Sequence, residues 1–131
     1  MSGQRRIELL TAWGCFALLL VTYWLTVAPT VSYWDCPEYV AAAWLLEVGH
    51  PPGNPVWMLV ERMVTMLAPS GVYAALAVNL SSGLFTAFAG FFLARVIFSV
   101  AMWILAARPW GPVRPVWLAV VSAVTGSLAF G

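Results

Sequence analysis

Two short groups of polar residues offer most of the chemistry in this sequence. In the first group, Asp35 and Glu38 lie three residues apart, which places both carboxylates on neighbouring positions of one helical turn. A carboxylate pair suits acid and base catalysis, because a hydroxyl becomes a good nucleophile only when a positioned base accepts its proton. The same spacing suits a capping box, with Asp35 as N-cap, Glu38 at the third helical position and Pro37 in the first turn. Both interpretations stay open, because a capping carboxylate can also face a cavity.

The second group is the segment His-Pro-Pro-Gly-Asn-Pro at residues 50–55. Its three prolines fix φ around a permissive glycine, and Asn54 is expected to cap the next helix with Pro55 at its first position. A single histidine usually serves as a structural hydrogen-bonding residue. A turn this stiff would also hold His50 at a fixed place relative to Asp35, as a functional site requires.

Further charges and thiols complete the candidates. Adjacent helical residues point about 100° apart, so Glu61 and Arg62 are expected to have separate partners, and water or lipid headgroups are the favoured ones. Arg62 is also a candidate phosphate ligand. Cys15 and Cys36 are about 30 Å apart if the intervening chain is helical, which excludes a disulfide, and two thiols make no metal site.

The composition indicates a membrane protein. Of the 131 residues, 63% are apolar and 8% are charged, whereas a soluble surface needs about a quarter to a third of charged residues. The net charge of +1 and the absence of a basic cluster argue against a nucleic-acid partner. Membrane lipid is therefore the expected partner, and a chain of this length has room for two to three spans of about 20 residues.

The expected fold is all-α and integral to the membrane. The predicted segments are a transmembrane helix at 9–28, an external loop at 29–71 with interfacial helices at 38–48 and 55–67, a transmembrane helix at 72–94, and the start of a third at 115–131. Residues 96–107 either extend the second span or lie at the interface. A cleaved signal peptide is disfavoured, because its apolar core would be about 7 to 15 residues.

The distribution of arginines predicts the topology. All arginines except Arg62 can be cytoplasmic if the 29–71 loop lies outside, so we expect a cytoplasmic N-terminus. The loop carboxylates and His50 would then face the periplasm of a bacterial inner membrane or a luminal equivalent.

The segment WDCPEYVAAAWLLEVGHPPGNP at residues 34–55 resembles the first external loop of a family of polytopic membrane proteins related to protein O-mannosyltransferases. The shared elements are an aspartate and glutamate in D-x-G-E form, a short helix, HPPG-x-P, and a following apolar helix with Val-Asn-Leu at residues 78–80. The resemblance covers roughly residues 30–98. Pro37 departs from the family pattern, which has glycine there.

The resemblance implies a GT-C architecture with an outward-facing site and a lipid-phosphate-linked sugar, on a polyprenyl carrier, as donor. It makes Asp35 the general base that deprotonates a protein hydroxyl acceptor, with Glu38 in support and His50 in the pocket or in contact with the donor phosphate. Arg62 and Trp34 are further candidate substrate-binding residues. It implies no certain cofactor and leaves metal dependence open. Family members are longer, so we expect the N-terminal part of an enzyme, inactive alone. The alternative is a non-catalytic transporter subunit or scaffold, in which the same carboxylates cap helices and line a cavity.

Overall fold

The computed structural model describes residues 3–32, 34–49, 54–106 and 115–130, and every regular element in these ranges is helical. The helices are α1 (Gly3–Thr26), α2 (Cys36–Leu45), α3 (Pro55–Thr65), α4 (Ala74–Ala106) and α5 (Pro115–Phe130), with a single 3₁₀ turn at Gly71–Tyr73 before α4. Two helical stretches, Gly3–Thr26 and Gly71–Leu105, are long and apolar enough to cross a bilayer, and Val116–Ala129 is a shorter apolar helix. The expectation of an all-α membrane protein is confirmed.

Helix α1 has 24 residues and begins six positions before the predicted span at 9–28. Gln, Arg and Glu have good helix propensity, so the polar residues before position 9 continue the helix rather than end it. The helix stops at Thr26 because Pro29 disfavours helical backbone at the residue before it and cannot donate a helical hydrogen bond.

Helix α4 is continuous for 33 residues, from Ala74 to Ala106. The apolar stretch after Arg95 therefore extends the second membrane helix, which was one of the two alternatives left open by the sequence. Arg95 does not interrupt the helix, because its Nε donates to Glu8 Oε1 at 2.8 Å and the pair neutralises both charges.

The chain forms two compact units, and the first comprises Met1–Thr22 together with Leu84–Gly131. Its core is built from buried small and aromatic side chains: Ala12, Cys15, Phe91, Ala94, Phe98, Leu105, Ala119 and Ala123. Small residues allow close helix approach in a membrane. A Cβ added at Gly90 would lie 2.3 Å from Leu19 Cδ1, so an alanine there would displace the end of the Leu19 side chain.

The second unit, Tyr23–Gly83, carries α2, α3 and the first turns of α4. Val40 of α2 packs on Ala74, Ala75 and Val78 of α4 to form its apolar core. Asn79 ties the linker after α1 to α4, because its Nδ2 donates to two linker carbonyls at 2.9 and 3.2 Å. Both sequence motifs lie in this unit, on α2 and around the beginning of α3.

Helix α2 is bracketed by two non-glycine residues in the left-handed region, Trp34 with φ 63° and Leu46 with φ 58°. At the C-terminal end, the N–H groups of Leu46 and Glu47 both donate to the carbonyl of Ala42, which terminates the helix. Leucine has no advantage over glycine in such a cap, so the position carries a local conformational cost of about 1–2 kcal/mol.

Candidate functional site

The two candidate catalytic carboxylates lie at the start of α2, and both side chains are exposed to solvent. Asp35 is the N-cap residue and Glu38 belongs to the first turn, as the spacing predicts. The predicted capping hydrogen bond is wrong, since the Asp35 side chain makes no cap bond. Two causes are visible: Pro37 removes one of the N–H groups that an N-cap side chain uses, and Asp35 has φ −79° and ψ −4° rather than extended backbone. Its carboxylate is therefore not committed to capping α2.

The two motif halves meet at the first turn of α2. A Cβ built on Gly49 would lie 3.1 Å from Glu38 Oε1, so the residue before His50 packs directly against the candidate carboxylate. On the other side of the motif, Asn54 Nδ2 donates to Tyr39 Oη at 3.1 Å. Glu38 and Tyr39 are neighbours in sequence, and together they contact both described ends of the His-Pro-Pro-Gly segment.

The segment between those two contacts, residues 50–53, lies outside the described residues, and the predicted role of His50 stays a prediction. Asn54 occupies the N-cap position of α3 and Pro55 follows in the first turn, as expected. The Asn54 side chain makes no cap bond, and its Nδ2 donates to Tyr39 Oη. The residue thus joins α2 and α3 rather than stabilising the end of one helix.

A cavity of about 380 Å³ adjoins this junction. Its lining is Leu46, Glu47, Val48, Gly49, Asn54, Pro55, Met58 and Leu59. The wall is mostly apolar, with one carboxylate and one amide, a composition typical of small-molecule pockets. Gly49 contributes to this wall and also contacts Glu38, so the cavity lies next to a candidate catalytic carboxylate. Among the described residues, no group of three or more His, Cys, Asp and Glu side chains has the arrangement of a metal site.

Trp34 directly precedes Asp35 and is 94% exposed. Its left-handed backbone is unusual for a bulky residue and costs free energy, which other contacts of the fold must offset. An indole held in water next to a carboxylate does not contribute to a core. Its predicted part in substrate binding agrees with this exposure but is not tested by it.

Arg62 is half-buried on α3, and its guanidinium donates to the main-chain carbonyl of Trp44 in the last turn of α2. Carbonyls in the last turn of a helix lack partners within the helix, and a cation near them is favourable. Arg62 therefore fastens α3 to the end of α2. Its predicted phosphate contact would have to use the remaining N–H groups of the guanidinium, and it stays a prediction.

Glu61 differs from the sequence expectation of a solvated charge, because it is fully buried with 0% exposure. Ser81 of α4 lies with its hydroxyl oxygen 2.8 and 2.9 Å from the two Glu61 oxygens. Burial raises the pKa of Glu61, and the Ser81 hydrogen bond opposes that change. One signal in the sequence was overlooked: Glu61 lies on the side of α3 opposite the apolar positions 56, 59 and 63, so it does not share their surroundings.

Comparison with known proteins places these motifs in a family. The family model described as the N-terminal domain of protein O-mannosyl-transferase TMEM260 matches residues 35–131, a range that begins at Asp35 and contains both motif halves. Protein O-mannosyl-transferase TMEM260 of Mus musculus is 35% identical over 117 residues, which are 86% of this chain and 16% of the mouse protein. No solved structure matches the chain. By the extent of the family match and the identity to the mouse protein, this chain belongs to the family of the N-terminal domain of protein O-mannosyl-transferase TMEM260.

Proposed function

We propose that this chain forms the N-terminal part of a membrane glycosyltransferase that transfers a sugar, mannose, from a polyprenyl-phosphate donor to a serine or threonine hydroxyl of a protein. The proposal is supported by family membership and by the name of the mouse relative, an O-mannosyl-transferase. The chain spans 16% of that relative's length. The remaining helices of the enzyme would supply most of the donor site, including cations for the lipid phosphate.

Asp35 is the proposed general base. The acceptor hydroxyl gives its proton to the Asp35 carboxylate while its oxygen forms a bond to the anomeric carbon of the sugar. The bond between that carbon and the phosphate oxygen breaks, the sugar is transferred with inversion, and polyprenyl phosphate leaves. A carboxylate exposed at the surface of the fold is suited to this step.

One observation carries the proposal: the first turn of α2 is contacted by Gly49 and Asn54, the two described residues that flank the His-Pro-Pro-Gly segment. Gly49 packs on Glu38, and Asn54 bonds Tyr39. Carboxylates that only capped a helix would not require these contacts from the residues on either side of the second motif. Glu38 is proposed to orient the acceptor or the loop, while His50, Arg62 and Trp34 contribute donor or acceptor contacts.

The proposed site lies on the non-cytoplasmic face of the membrane. Arginine distribution supports a cytoplasmic N-terminus with residues 29–71 on the opposite side, which is the periplasmic face in a bacterial inner membrane and the luminal face in a eukaryote. Cys36 permits a direct test, since it is half-buried whereas Cys15 is buried. A membrane-impermeant thiol reagent should modify Cys36 from the non-cytoplasmic side, and modification from the cytoplasmic side alone would invert the site.

The decisive variant is Asp35→Asn in the full-length protein that contains this chain. The substitution keeps the shape of the side chain and removes the base, so sugar transfer should fall by about 10²- to 10⁴-fold with normal membrane insertion. Ser70→Ala is the control variant, because Ser70 is an exposed polar residue of the same unit that belongs to neither motif and does not line the cavity. Unchanged transfer in Asp35→Asn would favour the non-catalytic scaffold.

A further inference from the structure

One side of α3 carries both a buried carboxyl and residues of the candidate site. Glu61 and Thr65 are buried at 0% exposure, and Met58 is buried one turn before Glu61. Asn54 at the N-cap and these three residues are spaced four, three and four positions apart. At 100° per residue, the four positions fall within an arc of about 60°. A contact at Glu61 therefore constrains the side of α3 that also carries Asn54 and Met58.

Glu61 connects α3 to α4. Among the described residues, the apolar core of the second unit takes its members from α2 and α4 alone. Apolar packing is non-directional and does not by itself fix the rotation of a neighbouring helix. A hydrogen bond has a preferred distance and direction, and the two Glu61 oxygens lie 2.8 and 2.9 Å from Ser81 Oγ on α4. This bond therefore defines both the height and the rotation of α3 on α4.

The partner of Glu61 has little freedom to move. Ser81 is buried, and its Oγ also lies 2.8 Å from the carbonyl of Val78, one turn earlier in the same helix. Arg62, the neighbour of Glu61, donates instead to the carbonyl of Trp44 in α2. Adjacent residues thus tie α3 to two different helices. A buried carboxyl that lost its partner would leave a polar group unsatisfied, so the bond to Ser81 is strongly favoured.

The other end of the same side of α3 meets the candidate site. Asn54 Nδ2 donates to Tyr39 Oη at 3.1 Å, and Tyr39 directly follows Glu38. Asn54 and Met58 also line the cavity of about 380 Å³. Asn54 precedes Glu61 by seven residues, which is about 10 Å along a helix. A change in the rotation or height of α3 at Glu61 would therefore displace Asn54 and the cavity wall.

We propose that Glu61 is a positioning residue for the candidate site. Its bond to Ser81 sets the rotation and height of α3 on α4, and α3 in turn places Asn54 against Tyr39 and Met58 in the cavity wall. The catalytic consequence rests on the proposed sugar transfer, whereas the placement of α3 does not. Glu61 acts through other residues, because its side chain is fully buried. Misplacement of a site by about 1 Å can cost about 10²-fold in rate.

A distance between spin labels tests the placement without using catalysis. Labels at Ala41 of α2 and Val56 of α3, both exposed, are placed in the full-length protein after its other cysteines are replaced. Double electron–electron resonance then gives the distribution of distances between the two helices. Glu61→Leu removes the bond to Ser81, so it should shift or broaden this distribution. Glu61→Gln can still bond Ser81 and should match the parent protein.

Ser81→Ala removes the same bond from the side of α4 and should reproduce the change seen in Glu61→Leu. Ser70→Ala is the matched control, because it makes the same substitution at an exposed serine of the same unit. All measurements are made well below the unfolding midpoint of each variant. A role of Glu61 in global stability alone would then leave the distance distribution and kcat unchanged.

The kcat of sugar transfer should fall about 10- to 100-fold in Glu61→Leu and stay near the parent value in Glu61→Gln. An unchanged distance distribution in Glu61→Leu would overturn the proposal, whether or not transfer falls. A changed distribution with an unaltered kcat would also overturn it, because the site would not depend on the placement of α3. If the parent protein transferred no sugar, the proposed function would fail, and the distance measurement would still decide whether Glu61 places α3.

Discussion

Replacing Glu61 by glutamine tests whether the buried acid is neutral in the folded protein. The Ser81 hydroxyl oxygen lies 2.8 and 2.9 Å from the Glu61 oxygens and 2.8 Å from the carbonyl of Val78. A hydroxyl has one hydrogen, so an ionised Glu61 and the Val78 carbonyl compete for it. A protonated Glu61 supplies a second hydrogen, so that it donates to Ser81 while Ser81 donates to Val78. Glutamine can donate in the same way at any pH.

The sign of the pH dependence follows from burial. Because burial raises the pKa of Glu61 above its ordinary value of 4.5, the folded chain keeps a proton that the unfolded chain releases. The resulting stabilisation is complete below about pH 4.5 and is lost as pH rises through the folded-state pKa. Glu61→Gln should match the parent chain at pH 4 and exceed its free energy of unfolding by about 1 kcal/mol at pH 8, the net worth of one retained hydrogen bond.

The assay is denaturant unfolding in a non-ionic detergent between pH 4 and pH 8, followed by tryptophan fluorescence. Glu47→Gln is the matched control, since it makes the same substitution at an exposed carboxylate of the same unit. Its effect on the free energy of unfolding should stay within about 0.5 kcal/mol. If Glu61→Gln were less stable than the parent chain by the same amount at every pH, the buried carboxyl would be ionised and the reasoning refuted.

Three further predictions concern the site, the membrane helices and the linker. Gly49→Ala places a methyl group 3.1 Å from Glu38 Oε1. Transfer by the full-length enzyme should fall about 10- to 100-fold because the carboxylate is displaced. If neither the transfer rate nor the stability changed, this contact would have no role. Glu8→Gln weakens the 2.8 Å bond to Arg95, whose side chain is 41% exposed. The free energy of unfolding should therefore fall by about 1 kcal/mol at low salt. A Glu8/Arg95 double-mutant cycle measures the coupling energy of the pair. Asn79→Leu removes two hydrogen bonds to the linker and should lower the free energy of unfolding by about 1–3 kcal/mol in the same assay. An unchanged free energy of unfolding would show that water or detergent replaces both bonds.

Much of the fold followed from local patterns. Long apolar runs predicted the two membrane helices, and the positions of Asp35 and Asn54 predicted the beginnings of α2 and α3, because helix starts depend on a few neighbouring residues. The capping interactions themselves were not predictable in this way. Whether the Asn54 amide turns to its own helix or to Tyr39 depends on a residue 15 positions away.

The same limit applies to the candidate site. The resemblance of the two motifs brought Asp35, Glu38 and His50 together as candidates, but packing of Gly49 on Glu38 is a tertiary contact that no spacing rule contains. Glu61 was mistaken for a solvated charge because its partner, Ser81, lies 20 residues later on another helix. In a membrane protein the rule that polar side chains face outward does not hold, so the direction of a charged residue depends on its surroundings.

The length of α4 has a consequence for the bilayer that holds this chain. At 1.5 Å per residue, its 33 residues measure about 50 Å, whereas a hydrocarbon core is about 30 Å thick and a helix tilted by about 20° crosses it with roughly 21 residues. About a dozen residues of α4 therefore exceed this span. They are accommodated if the helix tilts further, if the surrounding lipid is thicker, or if they lie outside the hydrocarbon core. The first turns of α4 pack on Val40 of α2 in the second unit, so part of the excess length lies in the external loop and needs no thicker lipid.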